Sequence, residues 1–390
     1  MKTLHRLPYD GAVDADGHLM EPPDLWERYI DPEYRDRAIR VRQDDEGFEY
    51  LELDGKPSKL IGKGMLAATG FMDRVGGIVY ERETKTGMKY VDDAPLGGMD
   101  PEERIIRLDK ENLDAVILYP TLGVLWIAEC EDETLTQAYI RAYNRFIVEF
   151  CADSNARLVP VAQLSLGDPE AAETELYRAA QDGVKGVWVP PFTHTRKPLG
   201  DPAHDRVFAA IEELGLPLGI HPSFEPKWAG PGRFGPYTSG KFSFFINVTA
   251  PDAVRHAFTS LFQYGTLEKF PKLNIVILES GAGWISHWLD RMDTVYNSPQ
   301  GRNVRRLMPE PPSFYFKRQC YISGDPDETG LAPIITHVGQ DRFFWASDFP
   351  HPDHPPNYIP ELTRLVGQLP ESARAPLLGE NVSRLFSIDL

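Results

Sequence analysis

Three side chains able to do chemistry stand at alternate positions near the start of the chain: Asp14, Asp16 and His18, in the stretch VDADGHLMEPPDLW (13–26). In an extended strand, positions i, i+2 and i+4 share one face. The spacing therefore predicts two carboxylates and an imidazole presented together at a strand end. Both groups are ordinary ligands of divalent metals. Glu21 follows at once, and Pro22-Pro23 stop the strand. Alone, a run of Asp and Gly reads more readily as a loop, because short motifs misfire often.

Three more polar residues change that reading, because each ends an apolar run. His221 ends LPLGIH, Glu279 ends KLNIVILE and Asp348 ends DRFFWASD. Singly, each has a plain structural role open to it. His221 reads as a hydrogen-bonded core histidine, Glu279 as a cap for the following helix, and Asp348 as a cap for the Phe349-Pro350 turn. Jointly those roles fit poorly, since buried carboxylates must be paired, protonated or bound to a cation. Two imidazoles and three carboxylates gathered at one cavity are most simply explained by one or two divalent metals.

Elements able to gather them can be read from about Pro101 onward. Apolar runs end at Pro120 (DAVILYP), Leu164 (156–164), Pro191 (184–191), Ser223 (216–223), Gly281 (272–281), Ser323 (318–323) and His351 (341–351). Helical stretches separate most of them, at 102–112, 135–151, 169–182, 203–214, 252–264, from near Trp284, and 331–338. Helices at 360–368 and 380–386 close the chain. With the first stretch this makes eight short strands, several apolar throughout, as parallel strands covered on both faces are. An α/β fold, a (β/α)8 TIM barrel in one domain over 1–390, is the simplest assembly, with the site at the C-terminal strand ends. A doubly wound open sheet competes, but no GxGxxG turn follows the first strand. Two segments interrupt the rhythm: an excursion over 31–100, opening with a hairpin-like alternation at 39–55, and an insertion over 224–248 after strand 5.

Composition narrows the partners. A net charge of −17 argues against nucleic acid. Hydrophobic residues at 42% and charged residues at 25% are those of an ordinary globular chain. Three scattered cysteines form no CxxC pattern and fit a reducing cytoplasm. No stretch is apolar for the length of a membrane span, and the first residues lack a signal core. The long excursion and insertion suggest a homo-oligomer, with a hetero-oligomer also open.

Taken in order, DADGHLMEPPDLW, GVKGVWVPP, LGLPLGIHPS, PKLNIVILESGAGW, WASDFPH and GENVSRLF resemble the amidohydrolase superfamily. The branch they resemble includes 2-amino-3-carboxymuconate-6-semialdehyde decarboxylase and γ-resorcylate decarboxylase. The resemblance spans nearly the whole chain. It implies metal ligands at Asp16 and His18, where the family carries His-x-His or Glu-x-His, and at His221 and Asp348. It also implies that Asp348 both ligates and shuttles a proton. Two departures stand out. The sixth strand ends in Glu279 where the decarboxylases usually have histidine. The fourth strand is apolar around Val187–Val189, where dinuclear hydrolases hold a carboxylated lysine.

The expected reaction is non-redox decarboxylation or hydrolysis of a small carboxylated or aromatic molecule. A metal would polarise bound water or a substrate oxygen, with Glu279 as general acid or base and His221 in the catalytic set. Carboxylate-rich ligation favours manganese or iron over zinc, which stays open. Glu279, Glu21 or His351 as extra ligands would make room for a second metal, so a dinuclear non-haem iron or manganese oxygenase is an alternative. A non-catalytic partner subunit is a third. His194, Trp284 and His351 are candidates for touching substrate. The aromatics Phe224, Trp228, Phe234, Tyr237, Phe242, Phe244 and Phe245 either wall a pocket or pack as core. Arg196 and Lys197 either pair with a substrate carboxylate or sit solvated.

Overall fold

The structure, a computed structural model, describes residues 4–70, 87–226, 228–229, 243–352 and 356–389. Eight parallel strands form its centre: β1 Val13–Leu19, β2 Ala115–Pro120, β3 Leu158–Gln163, β4 Gly186–Val189, β5 Leu218–Ile220, β6 Ile275–Ile277, β7 Cys320–Gly324 and β8 Phe343–Trp345, hydrogen-bonded in chain order. Each is buried along almost its whole length, which explains the unbroken apolar runs. The main helices around them include α1 Pro101–Glu111, α2 Gly123–Trp126, α3 Glu133–Cys151, α4 Pro169–Asp182, α5 Asp205–Leu214, α6 Pro251–Gln263, α7 Ile285–Asn297, α8 Leu331–Val338 and, after the last strand, α9 Tyr358–Gln368. This is the (β/α)8 barrel that the alternation implies.

Local chemistry fixes the helix ends. Asp100, Asp132 and Asp168 each accept first-turn amides of α1, α3 and α4, and Pro101 and Pro169 take positions where no amide hydrogen is needed. Asn112 and Gly183 close α1 and α4 in the left-handed conformation. The hairpin expected over 39–55 is present as Arg40–Gln43 against Glu49–Leu53, with Lys56–Pro57 as a third strand. Arg318, read as the start of a strand, instead ends a helix over Pro312–Gln319; the strand begins only at Cys320.

The barrel closes between β8 and β1 through bonds at the strand ends, not a regular ladder. Ser347 N donates to Asp14 Oδ1 (2.9 Å), Asp348 N to the Asp16 carbonyl (2.9 Å), and His18 N to the Phe349 carbonyl (2.7 Å). Behind this seam, the guanidinium groups of Arg107 and Arg104 lie 3.5 and 4.7 Å from the Phe349 ring centre. Arg104 also donates to the carbonyls of His18 and Gly97, and Arg107 pairs with Glu111 and meets Tyr358 of α9. Desolvated cation–π contacts of this kind are worth about 2 kcal/mol or more.

The expectation that Asp14, Asp16 and His18 share a face is corrected here. The register of β1 on β2 shifts between Asp14 and Gly17, a bulge that breaks the two-residue alternation. Asp14 is thereby turned to Ser347, whose amide and hydroxyl both donate to it. A side chain at Gly17 would crowd its neighbours: a Cβ there would sit 2.5 Å from Val116 Cγ2 and 2.7 Å from Arg104 Nη2.

Candidate metal centre and active site

Asp16 and His18 come from the end of β1, His221 follows β5, Glu279 follows β6, and Asp348 and His351 follow β8. They meet at one point. His18 Nε2 lies 3.4 Å from Asp16 Oδ1, 3.2 Å from Asp348 Oδ1 and 3.2 Å from His221 Nε2. His221 Nε2 lies 3.6 Å from Asp16 Oδ1 and 3.1 Å from Glu279 Oε2. Asp16, His18, His221 and Asp348 are almost fully buried, whereas the Glu279 side chain keeps 15% of its surface exposed and so stands at the rim.

The protons on the imidazoles decide what this cluster is. His18 Nδ1 lies 2.8 Å from the Pro120 carbonyl, and His221 Nδ1 lies 2.6 Å from the Pro222 carbonyl. A carbonyl can only accept, so both Nδ1 atoms carry hydrogen and both Nε2 atoms of the neutral rings present lone pairs. Two lone pairs thus face each other, with carboxylate oxygens beside them. Neither oxygen of buried Asp16 accepts a hydrogen bond. An arrangement of electron-pair donors with no hydrogen between them fits a divalent cation. The carboxylates around these rings express the same need for positive charge. Burial opposes charge on His18, but Asp16 and Asp348 outweigh it and raise its pKa well above the ordinary value. Burial also opposes the charge on Asp16, yet His221 and His18 hold its carboxyl below the usual range. Two overlapping donor sets could hold a metal: Asp16, His18 and His221, and His18, Glu279, Asp348 and His351.

His351 has a definite orientation. Its Nδ1 is 2.8 Å from Asp348 Oδ1, its Nε2 is 3.0 Å from Thr121 Oγ1, and its ring lies 3.9 Å from that of His18. With Asp348 ionised, Nδ1–H donates to Asp348 and Thr121 O–H donates to Nε2. His351 in this tautomer orients Asp348.

Backbone strain marks two of these strand ends. Glu279 (φ 39°) and Asp348 (φ 53°) both lie in the left-handed region, which costs a non-glycine residue about 1–2 kcal/mol. Such strain persists only where the surroundings impose it, and functional sites are where it gathers.

Glu21 does not join the centre, and its reading as a ligand is corrected. Its carboxylate accepts the amides of Thr121, Leu122 and Gly123 at 3.2, 2.8 and 2.9 Å, and neither donor set includes it. Burial pushes its pKa up to about 7, against the pull of those amides. It holds the turn after β2 that presents Thr121 to His351. Trp284 is also tied elsewhere: its indole N–H donates to the Ser280 and Gly281 carbonyls, and its face meets Arg255. His194 Nε2 is bonded to the Ile127 carbonyl, half-buried on the active face. Arg196 and Lys197 are exposed, Arg196 lying over Trp228. Of the insertion aromatics, Phe224 is half-buried, Trp228, Phe244 and Phe245 are exposed, and Phe234, Tyr237 and Phe242 lie outside the described residues. Residues that sequence reasoning missed line the centre instead. The rings of Tyr119 and Trp188, at the ends of β2 and β4, lie 5.4 and 5.5 Å from that of His221. Tyr119 sits at the end of its run, a signal that was available. Thr121 and Asp14 gave none that separates support from ligation.

The sequence matches the amidohydrolase family model over residues 110–388. The chain belongs to the amidohydrolase family. Among its relatives is γ-resorcylate decarboxylase of Rhizobium sp. (strain MTP-10005), 26% identical over 303 residues that cover 74% of this chain and 87% of that protein. Among solved structures, an amidohydrolase from Mycobacterium avium subsp. paratuberculosis K-10 superposes with a TM-score of 0.78 at 21% identity, covering 97% of this chain and 99% of that one. A manganese-bound 5-carboxyvanillate decarboxylase from Novosphingobium aromaticivorans superposes with a TM-score of 0.65 at 18% identity, covering 99% of each chain. At these identities the superpositions show that the amidohydrolase shares their fold. No helix among its described residues is long and apolar enough to cross a membrane.

Proposed function

We propose that this amidohydrolase is a metal-dependent decarboxylase of small aromatic carboxylates, with Glu279 moving the proton. The observation that carries the reading is the convergence of two imidazoles with the carboxylates of Asp16 and Asp348 at one buried point, and of the Glu279 carboxylate, 15% exposed, beside them. Asp16, His18, His221 and Asp348 would hold the cation. Two imidazoles with several carboxylate oxygens favour manganese or iron over zinc, and manganese is bound in the 5-carboxyvanillate decarboxylase relative. When bound, the cation supplies a Lewis acid that polarises a substrate oxygen.

The chain's own residues do the rest. His351, fixed by Thr121, keeps Asp348 turned to the centre. Tyr119 and Trp188 form an aromatic floor beside His221, suited to a planar substrate ring. Decarboxylation breaks the bond between ring carbon and carboxylate. CO2 leaves, the electron pair stays on the ring carbon, and that carbon takes one proton. Glu279 in its acid form delivers it and recovers a proton from solvent across the rim. Relatives named for decarboxylating γ-resorcylate and 5-carboxyvanillate support this substrate class.

The test pairs metal analysis with anaerobic turnover. Protein loaded with manganese should hold about one ion per chain and release CO2 from hydroxylated benzoates such as 2,6-dihydroxybenzoate without consuming oxygen. In D2O, one deuterium should appear at the vacated carbon. Two ions per chain with substrate-dependent oxygen uptake would replace this reading with the dinuclear oxygenase. No bound metal and no turnover would leave a non-catalytic barrel.

A further inference from the structure

The turn that carries Glu279 is held from outside its own strand. Between Ile277, where β6 ends, and Ile285, where α7 begins, the backbone turns left-handed at Glu279 (φ 39°) and Gly281 (φ 63°). Glu328, in the loop after β7, reaches across to this turn. Its Oε1 accepts from Ala282 N at 2.8 Å and from Asp325 N at 3.1 Å, and its Oε2 accepts from Gly283 N at 2.7 Å. A second tether comes from β7 itself, where Ser323 Oγ accepts from Glu279 N at 3.2 Å. A Cβ on Gly283 would sit 2.9 Å from Glu328 Oε2, so the carboxylate lies close over the backbone of this turn.

We infer that Glu328 is a positioning residue, whose carboxylate fixes the turn that keeps Glu279 Oε2 3.1 Å from His221 Nε2. The inference rests on the acid–base role proposed for Glu279. Its physical content is simple. A strained glutamate relaxes to negative φ unless its neighbours forbid it. Without the carboxylate, the amides of Ala282 and Gly283 lose their acceptor and the turn loses its anchor to the next βα loop. The side chain most affected is the one at the left-handed position.

The test uses the full chain loaded with manganese, as wild type, E328A, E328Q, E279Q and E279Q/E328A. Hydrogen exchange over peptide 278–286 reads the clamp directly, and CO2 release from 2,6-dihydroxybenzoate reads its consequence. In E328A, exchange at this turn should quicken by about tenfold or more while metal content stays unchanged. The kcat should fall by about ten- to a hundredfold with KM within about threefold, the pattern of a lost transition-state interaction. The double variant should be no slower than E279Q, because a residue acting through Glu279 has nothing left to position. E328Q keeps the side chain's size but replaces one acceptor oxygen by an amide nitrogen that cannot accept, and it serves if E328A does not fold. Wild-type exchange at the turn in E328A, or in E328Q where E328A does not fold, overturns the inference, as do losses that add in the double variant. An E279Q protein as active as wild type overturns the acid–base reading, and the exchange measurement then still decides the clamp.

Discussion

Stripping the metal should destabilise the protein, and replacing Asp16 by asparagine should remove most of that sensitivity. Both oxygens of Asp16 are buried without a hydrogen-bond donor, 3.4 and 3.6 Å from two imidazole lone pairs in the case of Oδ1. A cation present at a thousand times its Kd stabilises the native state by about 4 kcal/mol. Unfolding entropy of about 2 cal/mol/K per residue, taken over 390 residues, converts that to a Tm rise of about 5 °C. Asp16→Asn changes the sign of the local problem. Its amide hydrogens can donate to Nε2 of His18 and of His221, so the metal-free variant satisfies groups that in wild type need a cation or an added proton on His18. We expect metal-free D16N to melt at or above metal-free wild type, and added manganese to shift it by about 1 °C or less. The assay is differential scanning calorimetry after chelation, with and without manganese, checked by elemental analysis. Equal metal-induced shifts in wild type and D16N, or none in wild type, would refute the assignment of this cluster as the cation site.

Glu279→Gln should retain its metal and lose about 10²- to 10⁴-fold in turnover, the usual range for a removed acid–base group, measured by CO2 release. Glu21→Ala should leave three buried amides without an acceptor; at about 1–3 kcal/mol for each such group, urea unfolding should show a loss of at least about 3 kcal/mol, with metal content per folded chain unchanged. Because burial raises Glu21 from 4.5 to about 7, its contribution to stability is fully present below pH 4.5 and is lost as pH rises through about 7. Glu21→Gln should therefore flatten the stability profile in that window, by about 3 kcal/mol at most. Gly17→Ala should cost about 1–3 kcal/mol by overpacking against Val116 and Arg104, read by the same urea titration.

How far the sequence could be read follows from what each signal depends on. The strands announced themselves because burial on both faces demands continuous apolar runs, and the helices because aspartate caps, prolines and glycines mark their ends. The convergence of Asp16, His18, His221, Glu279 and Asp348 was legible because each interrupts such a run where a barrel places its chemistry. What failed was finer. Alternation put Asp14 beside Asp16, but a bulge turned it to Ser347. Proximity in sequence made Glu21 look like a ligand, although three amides one hundred residues away already occupy it. Trp284 was expected near substrate, yet its indole is used within its own turn. For Asp14 and Glu21 the deciding partner lies on another βα unit, so no local pattern could reveal it.

The placement of the centre on the barrel's seam also explains why its supports are so numerous. Asp16 and His18 stand on one side of the seam and Asp348 on the other, joined by irregular bonds rather than a ladder. A ladder would set their spacing automatically; here it must be imposed. Asp14 pins Ser347, Arg104 holds the His18 carbonyl, Arg104 and Arg107 cover Phe349, and His351 ties Asp348 to Thr121. Glu21 and Glu328 do the same work for the turns after β2 and β6. The donors that face the centre are useful only because these other groups fix where they point.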